Sequence, residues 1–152
     1  MRYHWTPLVL SLTVTKPMRG SVFLDTNLLV YTYSSTEPTK QEIAQNIVIN
    51  NRTFISTQVL QELTNIITKK FQFSYQKATA VVEECCINSD LITNTRDTIL
   101  LAHQIADKYG FSFYDSLIVG AALECDCSIL YTEDMQHNQV ISKTLKIVNP
   151  FK

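Results

Sequence analysis

The sequence predicts an α/β fold of three layers, with helices on both faces of a mainly parallel five-stranded sheet. Short apolar runs of strand length alternate with longer stretches of helical period. No two of those short runs are joined by a hairpin signal, so each strand must reach the next through a crossover, as parallel pairing requires. The chain has 152 residues and shows no repeat and no linker, which suits one domain with one sizeable core.

Val22–Leu24 is the first strand, with Asp25 at its carboxyl end, and Thr26 and Asn27 are expected to carry the chain away from it in a turn. After Pro38, "KQEIAQNIVIN" has a helical period through Ile43, Ile47 and Val48. "TFIS" at 53–56 is the second strand. The helix "TQVLQELTNIITKK" then places Val59, Leu60, Leu63, Ile66 and Ile67 on one face. A further helix runs from about Ser74, its cap, to Asn88, and "DLIT" at 90–93 is the third strand. "RDTILLAHQIADKYG" is a helix stopped by Gly110, and "FSFYDSLIVGAALEC" opens the next. "SILYT" at 128–132 and "LKIVNP" at 145–150 complete the five strands.

Hydrophobic residues make up 45% and charged residues 18% of the chain, with a formal net charge of −1. Bulk charge therefore offers no footprint for nucleic acid, and contact with a polyanion would need local lysines or bound metal ions. Cys85 and Cys86 are adjacent and Cys125 and Cys127 form C-x-C, neither of them the C-x-x-C of a structural zinc site. His4, His103 and His137 are scattered. Reduced, mostly buried thiols in a cytoplasmic protein are expected. The apolar stretch from Leu8 to Val14 is interrupted by Ser11 and Thr13 and is too short to span a membrane. Residues 1–17 are expected to be a disordered tail or a mis-assigned start, with Met18 opening a domain that runs over 18–152.

Four acids occupy places that do not suit acids. In open α/β sheets, ligands gather beyond the carboxyl ends of the strands, where the strand order reverses. Asp25 stands at the end of the first strand, and Glu133 and Asp134 follow "SILYT". Glu62 borders the apolar stripe of its helix. Asp115 lies on its own helix's stripe, with Ile118, Val119 and Ala122 at i+3, i+4 and i+7. Each has a simpler explanation: Asp25 as a helix cap, Asp115 in a capping box with Ser112, Glu62 paired with a lysine such as Lys69, Asp134 in a turn. Gathered at one sheet rim, however, several carboxylates repel one another unless a cation intervenes. Hard oxygen ligands select Mg²⁺ or Mn²⁺, which bind phosphate oxygens and activate water.

The blocks "FLDTNLLVY", "ISTQVLQEL", "FYDSLIVGAALECDCSILYTEDM" and "IVNPF" together resemble PIN-domain proteins, over about residues 19 to 151. The likeness is to the VapC-type toxin ribonucleases of bacterial VapBC toxin–antitoxin pairs. That resemblance implies a PIN-like fold, one or two Mg²⁺ or Mn²⁺ ions, and Asp25, Glu62, Asp115 and Asp134 as catalytic and metal-holding residues. It implies supporting polar roles for Asn27 and Thr132. It further implies an RNA substrate cleaved to a 5′-phosphate and a 3′-hydroxyl, a small antitoxin partner covering the pocket, a homodimer, and no membrane. Glu133 adjoins Asp134, and the spacing from Thr132 favours Asp134 as the site acid. Lys69, Lys70 and Lys77 either meet the RNA backbone or form a solvated helix face.

Two other enzyme or signalling classes are disfavoured. A haloacid-dehalogenase-type phosphatase needs D-x-D after the first strand, and position 27 is Asn. A receiver domain needs paired acids after strand one, an acceptor aspartate after strand three and a lysine after the last strand. "LDTN", "LITNT" and "IVNPF" supply none of them. A solitary PIN nuclease and a non-catalytic RNA- or protein-binding module remain as alternatives to the toxin.

Overall fold

The computed structural model describes residues 20–152, so the expected tail over 1–17 and the start at Met18 lie outside the described residues. The first strand, β1 (Ser21–Leu24), pairs in parallel with β2 (Arg52–Ser56) on one side and with β4 (Ile129–Tyr131) on the other. β3 (Asp90–Ile92) extends the sheet beyond β2, and β6 (Leu145–Val148) extends it beyond β4. The resulting order is β3-β2-β1-β4-β6-β5. Phe23 faces Phe54 of β2 and Leu130 of β4, and Leu130 in turn faces Ile147 of β6. Phe23, Leu130 and Ile147 are fully buried, as a doubly covered sheet requires.

The helices divide between the two faces because the chain reverses direction across the sheet. From β1 to β2 to β3 it moves one way, through α1 (Thr26–Tyr33), α2 (Pro38–Asn50), α3 (Thr57–Lys69) and α4 (Tyr75–Asn88). From β3 it returns to β4 through α5 (Arg96–Tyr109) and α6 (Phe113–Glu124). Right-handed crossovers in opposite directions put the two helix sets on opposite faces. The contacts agree: α1 touches α2 and α3, α3 touches α4, and α5 packs along α6, which touches β2 and β4.

The local chemistry explains the element ends. Ser56, Ser74 and Ser112 cap α3, α4 and α6 through their hydroxyls, and Thr95 forms a capping box with Thr98 on α5. Gly110 ends α5 with φ of 76°, a left-handed conformation that favours glycine. Val59, Leu63 and Ile67 of α3 are buried, matching the stripe that the sequence predicts.

Two elements differ from expectation. Residues 26 and 27 are the first turn of α1, not a loop, because Asp25 adopts extended backbone and its Oδ1 accepts from the Thr26 amide at 2.7 Å. The sheet also has a sixth strand, β5 (Val140–Ile141), antiparallel to β6. Its hairpin turn has Ser142 and Lys143 at φ of 49° and 64°. Such turns usually carry glycine or asparagine, so the sequence holds no hairpin signal there.

Because Phe23 is fully buried, Phe23→Ala is expected to lower unfolding stability by about 3–5 kcal/mol in urea titration. A loss below about 1 kcal/mol would contradict the close packing of β1 against the helices on that face.

Candidate active site

The switch in strand order falls between β1 and β4, and the site forms at the carboxyl ends of those two strands. Asp25 follows β1 directly and is 6% exposed. Its amide donates to the Tyr131 carbonyl at 3.0 Å, which extends the β1–β4 ladder by one residue and fixes the carboxylate at the rim. Oδ2 accepts from the Thr132 hydroxyl at 2.8 Å, while Oδ1 caps α1. The capping explanation and the site explanation for Asp25 are therefore both true, one for each oxygen.

The other predicted acids arrive from three further segments. Glu62 projects from α3, with Oε2 accepting from the Thr26 hydroxyl at 2.6 Å and Oε1 from the Gln58 amide at 2.8 Å. Asp115 stands in the first turn of α6, where its amide donates to the Ser112 hydroxyl at 3.2 Å. Asp134 follows β4; its amide donates to the Thr132 hydroxyl at 3.2 Å, and its Oδ2 accepts from Asn27 Nδ2 at 3.0 Å. All four acids line one cavity of about 340 Å³. Both supporting residues take part: Thr132 bridges Asp25 to Asp134, and Asn27 joins Asp134 to the Glu133 amide.

Glu133 is turned to a different task. Its carboxylate accepts from Lys40 Nζ and from the Tyr31 hydroxyl, each at 2.6 Å. Burial works against its charge, but those two hydrogen bonds outweigh burial and hold the carboxyl below its usual range. Lys40 also lies 4.7 Å from the Tyr31 ring centre and 5.3 Å from that of Phe151, and the two rings meet edge to face at 5.0 Å. This clamp fastens the segment after β4 to α1, α2 and the end of the chain.

Burial first, and the neighbouring acids second, raise two of the four carboxyls. Burial pushes the Asp25 carboxyl up to about 6, against the lowering effect of the Thr132 and Thr26 hydrogen bonds, and the charges of Glu62 and Asp134 add to the rise. Burial also raises Asp115, and Asp134 and Glu62 again contribute. The Gln58 Oε1 atom beside Glu62 is buried without a donor among the described residues. Gln58 does not line the cavity, but the four carboxylates alone give it a surplus of hard oxygen acceptors, a donor set that fits a small divalent cation. Among the described residues no three His, Cys, Asp or Glu side chains stand at metal-holding geometry. Glu62 and Asp134 spend oxygens on Thr26 and Asn27, and a cation would compete with those two donors.

Sequence reasoning missed Thr26 and Gln58 as partners of Glu62. Gln58 stands at i−4 on the same helix face, which was a readable signal; the Thr26 contact spans α1 and α3 and was not. The alternative reading of Glu62, a pair with a lysine such as Lys69, is not what forms: among the described residues Glu62 joins no ion pair. His103 packs against Phe113, and His137 Nδ1 accepts from the Asn149 amide; neither lines the cavity.

The PIN-domain family model matches residues 22–142, a span that contains all four acids. The chain belongs to the PIN-domain family. No curated protein matches it significantly. Among solved structures, a toxin–antitoxin complex from Klebsiella pneumoniae aligns with a TM-score of 0.64 and 17% identity, covering 86% of this chain and 98% of that one. DNA-bound VapBC from Salmonella typhimurium gives 0.59 and 22%, with 84% and 96% covered. VapC20 of Mycobacterium tuberculosis, a toxin that cleaves the sarcin–ricin loop, gives 0.60 and 15%, with 74% and 91% covered. At these identities the likeness is one of fold. Among the described residues of this PIN domain, no helix is long and apolar enough to cross a membrane.

The raised Asp25 carboxyl has a consequence for stability in EDTA. Its proton is bound more tightly in the folded state than in the unfolded one, so its contribution is fully present below about pH 4 and is lost as pH rises through about 6. Asp25→Asn is expected to remove that dependence. Urea titrations of both proteins across this window decide the matter, and equal pH profiles would show that Asp25 is not strained.

Proposed function

We propose that this PIN domain is a metal-dependent endoribonuclease that hydrolyses RNA phosphodiester bonds and serves as the toxin of a toxin–antitoxin pair. The observation that supports it best is the convergence of Asp25, Glu62, Asp115 and Asp134, from four separate segments, on one cavity at the strand-order switch. One or two Mg²⁺ or Mn²⁺ ions, when bound, would supply positive charge for phosphate oxygens and lower the pKa of a bound water.

The chain's own residues supply the rest. Asp25, Asp115 and Asp134 would hold the ions through their carboxylate oxygens, with Asp25 anchored through Thr132 and the β1–β4 ladder. Glu62, held by Gln58 and Thr26, would hold an ion or accept a hydrogen bond from the attacking water. Asn27 and Thr132 keep Asp134 turned toward the cavity. No histidine is needed as a base, and among the described residues none lines the cavity. The partner on this reading is a small antitoxin, in keeping with the solved toxin–antitoxin complex and VapBC assembly that share the fold. A cytoplasmic homodimer belongs to the same reading.

Purified protein free of any partner is expected to cleave RNA with Mg²⁺ or Mn²⁺ and to stop in EDTA. Loss of a supporting partner to a ligand costs roughly 10–100-fold, the expectation for Thr132→Val, and Asp25→Asn should exceed that loss. Cleavage that persists in Asp25→Asn would sink the mechanism. RNA binding without cleavage in any metal would favour the non-catalytic module, and growth arrest relieved by coexpression of a co-purifying small protein would distinguish the toxin from a solitary nuclease.

A further inference from the structure

The cavity that holds the acids does not end with them. It continues as a trough between α1 and α3, whose helices touch. Glu62, Ile66 and Lys70 follow one another at i, i+4 and i+8, so they form a single line along the α3 wall. Asn27, Val30, Tyr31 and Ser34 form the facing line on α1, at i, i+3, i+4 and i+7. Phe71, just past α3, lines the same end as Lys70. Eight residues of helix separate the Glu62 end from the Lys70 end, a span of about 12 Å. The trough is therefore acidic at one end and apolar and aromatic along its middle; its other end holds Lys70 and, on the segment after α1, Glu37, which pairs with Lys40 at 3.6 Å.

The three candidate lysines separate cleanly on this geometry. Lys69 lines a different groove, between α3 and α4. Lys77 lies over the Phe73 ring at 3.9 Å. Lys70 is exposed, joins none of the ion pairs among the described residues, and reaches the trough.

We infer that this trough is a subsite for one unpaired RNA strand, with a nucleobase against Val30, Ile66 and Phe71 and Lys70 on a phosphate beyond the cleaved one. The inference rests on the nuclease reading for the identity of the strand. A polyanion laid from the acid end must leave the cation-compensated site along a wall that carries its own positive charge, and only the Lys70 end supplies one within the trough. A cavity of about 340 Å³ admits a splayed-out base, whereas bases stacked and paired in a duplex cannot enter it.

The test compares Lys70→Gln, Lys70→Arg and, as a charge-matched control on the other groove, Lys69→Gln. Steady-state cleavage of a fluorogenic single-stranded oligoribonucleotide is measured with Mn²⁺, and binding of the same oligomer by anisotropy over a salt series. Lys70→Gln is expected to raise KM several-fold with kcat nearly unchanged, and to reduce the slope of log affinity against log salt by about 0.7, one single-strand phosphate contact. Lys70→Arg should restore both, Lys69→Gln should change neither, and a duplex of the same sequence should bind more weakly and without Lys70 dependence. If Asp25→Asn abolishes cleavage while Lys70→Gln behaves as wild type, the subsite is wrong and the nuclease reading stands. If no RNA is cleaved, the nuclease reading fails, and the salt series alone decides the trough: an unchanged slope overturns it. A Lys70→Gln defect confined to capture of a protein partner also overturns it.

Discussion

The protein ends its central strand on a buried carboxylate and must make that carboxylate tolerable. Asp25 does not sit in the apolar core by itself; its amide continues the β1–β4 ladder, one oxygen caps α1 and the other takes the Thr132 hydroxyl. Those three hydrogen bonds join the strand, the helix that follows it and the neighbouring strand at a single residue. Remove them and α1 loses its cap, β1 and β4 lose their last rung, and Asp134 loses the hydroxyl that orients its backbone. Even so the carboxyl remains raised, which means that the fold holds Asp25 at an energetic cost that hydrogen bonding only partly offsets.

Such a cost is characteristic of sites, where local strain persists because function requires it. A capping aspartate on the surface would have left the helix equally well started without desolvation. The same contrast separates Asp134 from Glu133. They are adjacent in sequence, yet one faces an amide at the cavity and the other is neutralised in a clamp of lysine, tyrosine and phenylalanine.

Much of this was legible from the residues. The five longer strands, the helices from Pro38 onward and the caps at Ser74 and Ser112 follow from period and capping chemistry, and Gly110 from its freedom at positive φ. The four acids could be named because each sat at a strand end or on a helix stripe. What escaped was set by long-range or backbone effects. α1 is short and apolar nearly all round, so it gave no amphipathic period. β5 is two residues long, with its turn built from Ser142 and Lys143 in a conformation their identities do not advertise. The Thr26–Glu62 contact and the Lys40–Glu133 pair join residues 36 and 93 positions apart, and no local pattern encodes them.

The clamp around Glu133 has a mechanical meaning. Phe151, one residue from the end of the sequence, meets the same Tyr31 and Lys40 that grip Glu133, whose neighbour Asp134 faces the acid pocket. Phe151 is thus linked to the pocket through a few side chains at the edge of the core. A change at Phe151 therefore acts on the acid pocket at second hand, by altering the grip of Tyr31 and Lys40 on Glu133.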